Sequence, residues 1–424
     1  MTAGERVEHV TCLGCGCGCD DITVTVNAGR IVDAAPSCPI GRAWFGDGTV
    51  PAAIVRQGRP VSIEEALTES AAVLIEAQRR CLVYLAPDLS SEAQRAALEL
   101  ADMLGASVDC ATSPTAAAGL TAGQRRGRTG STLGEIRNRG DVFLFWGVDP
   151  AERYPRFLSR YALEPVGTQI PQGRQGRFVI SVSIGADRGV KDADLSLDLD
   201  PRDEILALSF MRATLLGNKV GQPSGQMGQI IGIAQRLAQS RYAVIVHDAE
   251  PSSERRDPLR VEGLLALTQA LNDSTRATLS SLRAGGNRTG AEAVLTWQTG
   301  YPFAVDYSRG HPRYTPSERG LDRLATGAFR AVLLAGAPTL DGRTTSSFSG
   351  ASIVAIGPRA SQAPFPTRVA IDTGVAGIHE SGMAYRMDEV PLPLHPPLRG
   401  QRSAADTLNA LTGAVRAHLR RKSR

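Results

Sequence analysis

Only six histidines occur in 424 residues, aromatic residues make up 5%, and outside one short stretch cysteine is confined to Cys81 and Cys110. The histidines (His9, His247, His311, His379, His395, His418) are scattered, and there is no His-Glu-x-x-His, no Gly-x-Ser-x-Gly elbow and no Walker loop. No local signature of a zinc hydrolase, a serine nucleophile or a phosphate-cradling loop is therefore present. The net charge is only +4, and the basic patches at Arg125–Arg128 and Arg416–Arg424 have no interleaved aromatics. Solvated faces or protein contacts explain them better than nucleic acid. No run approaches the ~18 apolar residues of a membrane span, and the start, Met1–Val7, has no apolar signal region. The expectation is a cytoplasmic protein with no membrane partner. With 42% hydrophobic and 21% charged residues, the composition is that of a globular chain of two or three domains.

What is present is a concentration of thiols. Five of the seven cysteines lie between Cys12 and Cys38. Cys12, Cys15, Cys19 and Cys38 spell Cys-x2-Cys-x3-Cys with a distant fourth in Ser-Cys-Pro-Ile-Gly, which leaves Cys17 over. Close cysteines on a glycine-rich turn (Gly14, Gly16, Gly18) can aim several thiolates at one centre, and the fourth returns after the short strands expected at Asp21–Val26 and Arg30–Asp33. The spacing suits an iron–sulfur cluster of the [4Fe-4S] type. A structural zinc would accept the same four thiolates, although paired Cys-x2-Cys knuckles are its commoner spelling. A vestigial site of reduced, empty thiols is the third reading. A disulfide framework is disfavoured, because a chain this long can bury an ample core without staples.

Beyond Cys38 the chain alternates apolar strands with amphipathic helices. Helices are predicted at Ser62–Arg79, Glu92–Leu104, Arg202–Leu216, Val261–Asn272 and Ala404–Arg420. Strands are predicted at Cys81–Ala86, Ala106–Cys110, Asp141–Trp146, Arg177–Ser183, Leu195–Leu199, Tyr242–His247, Ala277–Leu282, Ala331–Gly336, Ser352–Ile356 and Thr367–Ile371. Repeated strand–helix–strand units imply a doubly wound α/β fold of several parallel-sheet domains behind a small cysteine-rich N-terminal subdomain. The expected division is a cysteine-rich part at 1–60, an α/β region at 61–240, a second at 241–395, and a linker with a C-terminal helix at 396–424. Gly285–Pro316 is too long for a connector and is expected to line a site or an interface. Pro391–Pro397 reads as extended linker.

Several segments together resemble the B-type subunit of formylmethanofuran dehydrogenase, a molybdopterin oxidoreductase. They are Cys12–Asp21, Leu133–Val142, Trp146–Pro150 with Tyr154–Arg156, Thr296–Pro302, Val305–Tyr307, Pro312–Tyr314 and Gly382–Asp388. The resemblance runs nearly end to end. It implies a molybdopterin-oxidoreductase-like fold around a tungsten or molybdenum bis-pterin centre, with a cluster-binding N-terminal part.

The redox elements of that family are nevertheless degraded. The resemblance places the metal thiolate in a loop that here reads Asp109–Gly119, where no cysteine follows Cys110 and the adjacent His and Gly-Pro are missing. A soft thiolate is what holds such a metal. Cys110 ends a predicted buried strand and reads as an inert core thiol. The pterin-binding turn is replaced by Ser183–Arg188, and the basic residue expected between cluster and pterin has no counterpart beyond Arg42. No bis-pterin tungsten or molybdenum cofactor is therefore expected.

The pattern is similar to the corresponding subunit of the formyltransferase/hydrolase complex of methylotrophic bacteria, a redox-free relative. That resemblance implies a non-catalytic scaffold whose partners are a formyltransferase, an amidohydrolase and a third subunit. The competing readings are an active tungsten or molybdenum dehydrogenase subunit and an isolated hydrolase or transferase. Trp297, Tyr301, Tyr307, Arg313 and Tyr385 would lie in the former site, at an interface, or packed under loops.

Overall fold

The apolar runs read from the sequence become the central strands of two separate sheets. The computed structural model describes residues 4–77, 79–221, 224–250, 259–338 and 350–422. Met1–Ala3, Gln78 within the predicted helix Ser62–Arg79, and Ser423–Arg424 of the basic tail lie outside the described residues. The fold is mixed α/β and forms two compact units. One comprises residues 1–112, 285–386 and 391–424; the other comprises 113–284 and 387–390. The chain thus passes between units near Thr112 and Ala284 rather than at residue 240. The reason is strand pairing: Tyr242–Asp248 joins the sheet begun by Val142–Trp146, while Ala331–Ala335 returns beside Cys81–Leu85.

The first unit opens with a three-stranded antiparallel sheet of β1 (Glu5–Val10), β2 (Ile22–Asn27) and β3 (Arg30–Ala35). The cysteine-rich turn connects β1 to β2, and helix α1 (Pro39–Phe45) follows β3. A nine-stranded sheet then takes in β4 (Ile54–Arg56), β5 (Arg59–Pro60), β6 (Cys81–Leu85) and β7 (Ser107–Cys110). Its five central strands are parallel, and antiparallel strands flank them at both edges. Every residue of the run Cys-Leu-Val-Tyr-Leu in β6 is buried, as helices on either side of a parallel sheet require. Helices α2 (Ile63–Ala77) and α3 (Ser91–Leu104) carry the C-terminal helix Ala404–Lys422. Leu408, Leu411 and Val415 of that helix are buried, each contributing about 1.5–3 kcal/mol. Its first turn is capped by Glu380, which accepts from Ala404 N at 2.9 Å.

One expectation gains detail here and another changes. Gly285–Pro316 contains a twelve-residue helix, Arg288–Thr299, followed by the two-residue strands Val305–Asp306 and Arg313–Tyr314 at the sheet edge. Pro391–Leu394 is a strand rather than linker, paired antiparallel with Gly382–Tyr385. Its prolines face outward while Leu392 and Leu394 are buried, a placement that a two-stranded ribbon tolerates.

The second unit is a five-stranded, all-parallel sheet. Its members are β8 (Val142–Trp146), β9 (Phe178–Ile184), β10 (Leu195–Leu199), β11 (Tyr242–Asp248) and β12 (Arg276–Leu282), in the order β10-β9-β8-β11-β12. Helices Pro114–Arg126, Glu204–Leu215, Gly225–Ala238 and Leu259–Leu271 accompany it. The segment 387–390 belongs to this unit: Asp388 accepts from Leu133 N at 2.6 Å at a helix start, and Glu389 pairs with Arg128. Arg125 and Arg126 both hold Glu262, at 2.9 and 2.8 Å. The basic patch read from the sequence therefore has its carboxylates within the chain. Among the described residues, no helix is long and apolar enough to cross a membrane.

Candidate functional site

The cysteine-rich turn folds as the glycines dictate. Gly18 adopts φ +49°, and Cys12 N donates to Cys19 O at 2.8 Å, closing the loop so that both ends of the thiol set meet. Cys12, Cys17 and Cys19 are buried, and Cys15 and Cys38 are partly exposed. A side chain on Gly41 would begin only 3.3 Å from Cys12 Sγ and 3.8 Å from Cys38 Sγ, so glycine there keeps the space between two thiols open. The amides of Gly14 and Gly41 donate to Cys12 and Cys38 sulfur, each at 3.4 Å. Burial, followed by repulsion from Cys19, Cys15 and Cys38, pushes the Cys12 thiol well up against the opposing Gly14 amide. The structure thus brings Cys12, Cys15, Cys19 and Cys38 into one electrostatic neighbourhood. It adds Cys17, whose thiol hydrogen-bonds with Cys15. Amide-supported thiols, two of them partly exposed, are a donor type suited to a soft metal centre. Arg42, in contrast, is exposed on α1.

The second candidate is the end of β7, where the family resemblance puts the metal thiolate. Cys110 is 1% exposed, its sulfur lies 3.2 Å from Thr112 Oγ1, and Thr112 donates to Glu292 at 2.6 Å. Burial, with the charges of Asp109 and Glu292, pushes the thiol up to about 12, so it is protonated near neutrality. The backbone carbonyls beside it are also engaged. Arg319 reaches Cys110 O at 3.2 Å and Thr112 O at 2.9 Å, while Arg288 holds Ala111 O. Arg319 in turn pairs with buried Asp109 at 2.9 Å and stacks over Phe303 at 4.9 Å. Asp109 further accepts from Gly320 N at 2.8 Å. A thiol that is buried, protonated and already bonded cannot serve as a metal ligand without dismantling this network.

Parallel sheets bind ligands beyond the carboxyl ends of their strands, where the strand order reverses. In the first unit that point lies between β6 and Ala331–Ala335. There Asp88 accepts from Ala337 N at 2.9 and 3.0 Å, and a Cβ on Gly336 would sit 2.7 Å from Asp88 and 2.6 Å from Ala86. Burial pushes Asp88 up to about 6. In the second unit the point lies between β8 and β11. Asp248 accepts there from Tyr154 at 3.0 Å, from Glu250 N at 2.8 Å and from Arg153, while Arg283 holds Glu250 at 3.1 Å. The turn Ser183–Arg188 is equally self-contained: Ile184 N and Asp187 N bond each other's carbonyls, and Gly189 N reaches Ser183 Oγ. Among the described residues, the amides of Ile184, Asp187, Gly189, Glu250 and Ala337 are already paired, and a carboxylate stands at each crevice. These residues do not fit a pterin dinucleotide.

The aromatic residues divide. Tyr307 is buried, Tyr301 stacks on Tyr314 at 5.0 Å, and Arg313 pairs with Asp306, so these three pack the sheet edge. Trp297 is 58% exposed and meets Tyr385 edge-on at 5.6 Å. Sequence reasoning missed Arg319, Arg288, Asp88 and Asn287. Asn287 is fully buried and ties Leu89 O, Ser91 and Tyr385 N together. Its signal was the paired glycine before it, since Gly286, at φ +85°, lies against Pro87 O.

No protein-family model matches the sequence. The chain is 31% identical over 404 residues to the B-type subunit of the tungsten-containing formylmethanofuran dehydrogenase 2 of Methanocaldococcus jannaschii, covering 92% of this chain and 93% of that one. It is 29% identical to the subunit of the same name from Methanococcus maripaludis, covering 97% and 99%. It is also 29% identical, over 59% of its length and 65% of the relative's, to the B-type subunit of the formyltransferase/hydrolase complex Fhc of Methylorubrum extorquens. One chain of the crystal structure of that organism's FhcABCD complex with methylofuran superimposes with a TM-score of 0.71 at 25% identity, covering 86% of this chain and 99% of the other. Sequence and fold thus agree along nearly the whole length, and the chain belongs to the family of formylmethanofuran dehydrogenase B-type subunits, which also includes the B-type subunit of Fhc.

Proposed function

We propose that this chain is the B-type subunit of a cytoplasmic formyltransferase/hydrolase complex and performs no redox chemistry itself. A formyl group passes from formyl-tetrahydromethanopterin to a methanofuran-like carrier on a formyltransferase subunit. An amidohydrolase subunit then adds water across the formyl amide, releasing formate and the free amine of the carrier. A third subunit completes the set, and this chain acts as the scaffold. The observation that carries the reading is the sealed loop Cys110–Thr112, whose thiol is buried against Thr112 and whose carbonyls are held by Arg319 and Arg288.

Cys12, Cys15, Cys19 and Cys38 are the residues assigned to a [4Fe-4S] cluster, with Cys17 outside the ligand set. A zinc ion needs its thiolates about 2.3 Å from one point. Among the described residues no three His, Cys, Asp or Glu side chains are placed to hold a metal ion, and a vestigial site of reduced thiols is the alternative assignment. A bound cluster would supply one-electron transfer; in a scaffold it would only brace the turn.

The second reading, a tungsten-dependent dehydrogenase subunit, is favoured by one observation: the two relatives matched along more than nine-tenths of this chain are tungsten-containing. Co-expression with candidate partner subunits, followed by size-exclusion chromatography, metal analysis and a viologen-dye assay with formate or formylmethanofuran, separates the two. The scaffold reading expects co-elution, no tungsten or molybdenum, and no dye reduction. Stoichiometric tungsten with dye reduction establishes the dehydrogenase, and a monomer that never co-elutes removes the scaffold.

A further inference from the structure

The second unit has a charged cleft at the end opposite its crevice. It is an open space of about 900 Å³ beside the amino ends of β8, β9 and β11. Four arginines line it, Arg174, Arg177, Arg236 and Arg241, together with the carboxylates Asp141 and Asp194. Both carboxylates are occupied. Asp141 accepts from Tyr242 N at 2.8 Å and Arg241 N at 3.0 Å and pairs with Arg241 Nε at 3.4 Å, and Asp194 accepts from Val179 N at 2.7 Å and Arg174 at 3.2 Å, which leaves Arg177 and Arg236 unmatched among the described residues. The positive charge is thus only partly matched from within.

Arg177 is the sharpest case. It is 4% exposed, donates only to the carbonyls of Leu163 at 3.2 Å and Arg137 at 2.9 Å, and its Nε has no partner among the described residues. Burial, together with the neighbouring Arg174, holds its proton affinity below the usual range, as an uncompensated cation requires. Arg236 has an aromatic face and, among the described residues, no carboxylate: its guanidinium lies 4.3 Å from the Phe178 ring centre.

We infer that this cleft is a docking surface for an acidic segment of another polypeptide. Small-molecule sites are enclosed and mainly apolar, with a few polar groups, whereas this cleft is open and its arginines come from separate elements. Arginine spread over a broad polar face is the composition of a protein interface, and unmatched charge of one sign selects a partner of the other. The cleft also lies away from the carboxyl ends of the strands, where this fold type binds its ligands. Taking the partner to be another subunit rests on the function proposed above; the charge and its geometry do not.

The test uses the full chain and a fluorescent alternating Glu-Gly peptide, read by anisotropy at low and moderate salt, with a Gln-Gly peptide as control. Wild type should bind the acidic peptide with an affinity that falls as salt rises. The variant Arg174→Ala/Arg236→Ala/Arg241→Ala, with an unchanged circular dichroism spectrum, should bind about tenfold more weakly. Equal binding by the variant, or by the Gln-Gly peptide, overturns the proposal. Displacement by inorganic phosphate at equal charge concentration also overturns it, assigning the cleft to a small oxyanion. If the triple variant misfolds, Arg236→Ala, at an exposed side chain that meets only the Phe178 ring among the described residues, takes its place with a proportionate loss. Complex membership is read separately by co-elution, so either result can fail alone.

Discussion

Replacing Arg319 with methionine should unlock the end of β7. The substitution removes the partner of Asp109, a carboxylate only 1% exposed, together with two hydrogen bonds to the carbonyls of Cys110 and Thr112. Breaking a buried ion pair from one side costs about 3–5 kcal/mol, because the other charge stays behind. Asp109 keeps two amide donors, Gly320 N at 2.8 Å and Cys110 N at 2.9 Å, which places the cost near the lower end, about 3 kcal/mol. Arg319→Lys preserves the charge but not the planar fork that spans carboxylate and carbonyls, and should cost about 1–2 kcal/mol.

Hydrogen exchange on peptides covering 105–112 and 300–320 reads the effect locally. A loss of ~3 kcal/mol appears as roughly a hundredfold fall in protection, since each 1.4 kcal/mol is a factor of ten. The double variant Asp109→Asn/Arg319→Met should recover part of the loss, because no charge is then stranded. A single variant costing under about 1 kcal/mol, or a double variant no better than the single, refutes the account of this loop as held shut by a buried pair.

Cys15→Ala should lower the iron or zinc content of the purified protein while Cys17→Ala leaves it unchanged; equal content in both rejects the ligand assignment. Glu204→Gln strands Arg260, whose side chain is 1% exposed, and should cost about 3–5 kcal/mol in denaturant unfolding, with Glu204→Gln/Arg260→Met recovering part of it, since the glutamine still accepts from Trp146 Nε1. His379 accepts from Val375 N at 3.1 Å through Nδ1, so its Nε2 carries the proton toward Gly48 O at 2.7 Å. Burial, against the Gly48 bond, lowers its folded pKa, so the unfolded chain binds more protons below about pH 6.5. Stability should fall as pH drops through that window and should flatten in His379→Gln; an identical pH slope in the variant rejects the assignment.

The central strands were legible because each holds an apolar run long enough for a doubly covered parallel strand and no longer, as in Val142–Trp146 and Tyr242–Asp248. The helix Arg288–Thr299 was hidden because its apolar stripe is short, Ala291, Val294 and Leu295, and glycines and prolines crowd around it. The unit boundaries were not readable locally at all. They follow from which strands pair, and pairing is decided between residues hundreds of positions apart, as between Cys81 and Ala331. The cysteine turn was legible as a set through its spacing, but the burial of Cys17 among the other thiols was not. The lock on Cys110–Thr112 was invisible for the same reason as the boundaries: Arg319 stands more than two hundred residues from the aspartate it holds.

A protein that has lost a large cofactor forgoes the binding free energy that would stabilise its native state, and something must replace it. Under the function proposed above, the replacement takes one form at three places. Asp88 takes up the amide of Ala337, Asp248 takes up a tyrosine, an arginine and an amide, and Asp109 with Arg319 ties down the carbonyls of its own loop. In each, a carboxylate at or just beyond a strand's carboxyl end satisfies groups that would otherwise face a polar cavity. Buried donors left unpaired cost about 1–3 kcal/mol each, so internal pairing preserves the architecture without a ligand. The same arrangement makes dinucleotide binding unfavourable, because carboxylates, two of them at the strand-order reversals where phosphates would approach, repel a ligand of like charge. The proposed function therefore predicts that a cysteine introduced near residue 115 alone should yield neither tungsten nor dye reduction.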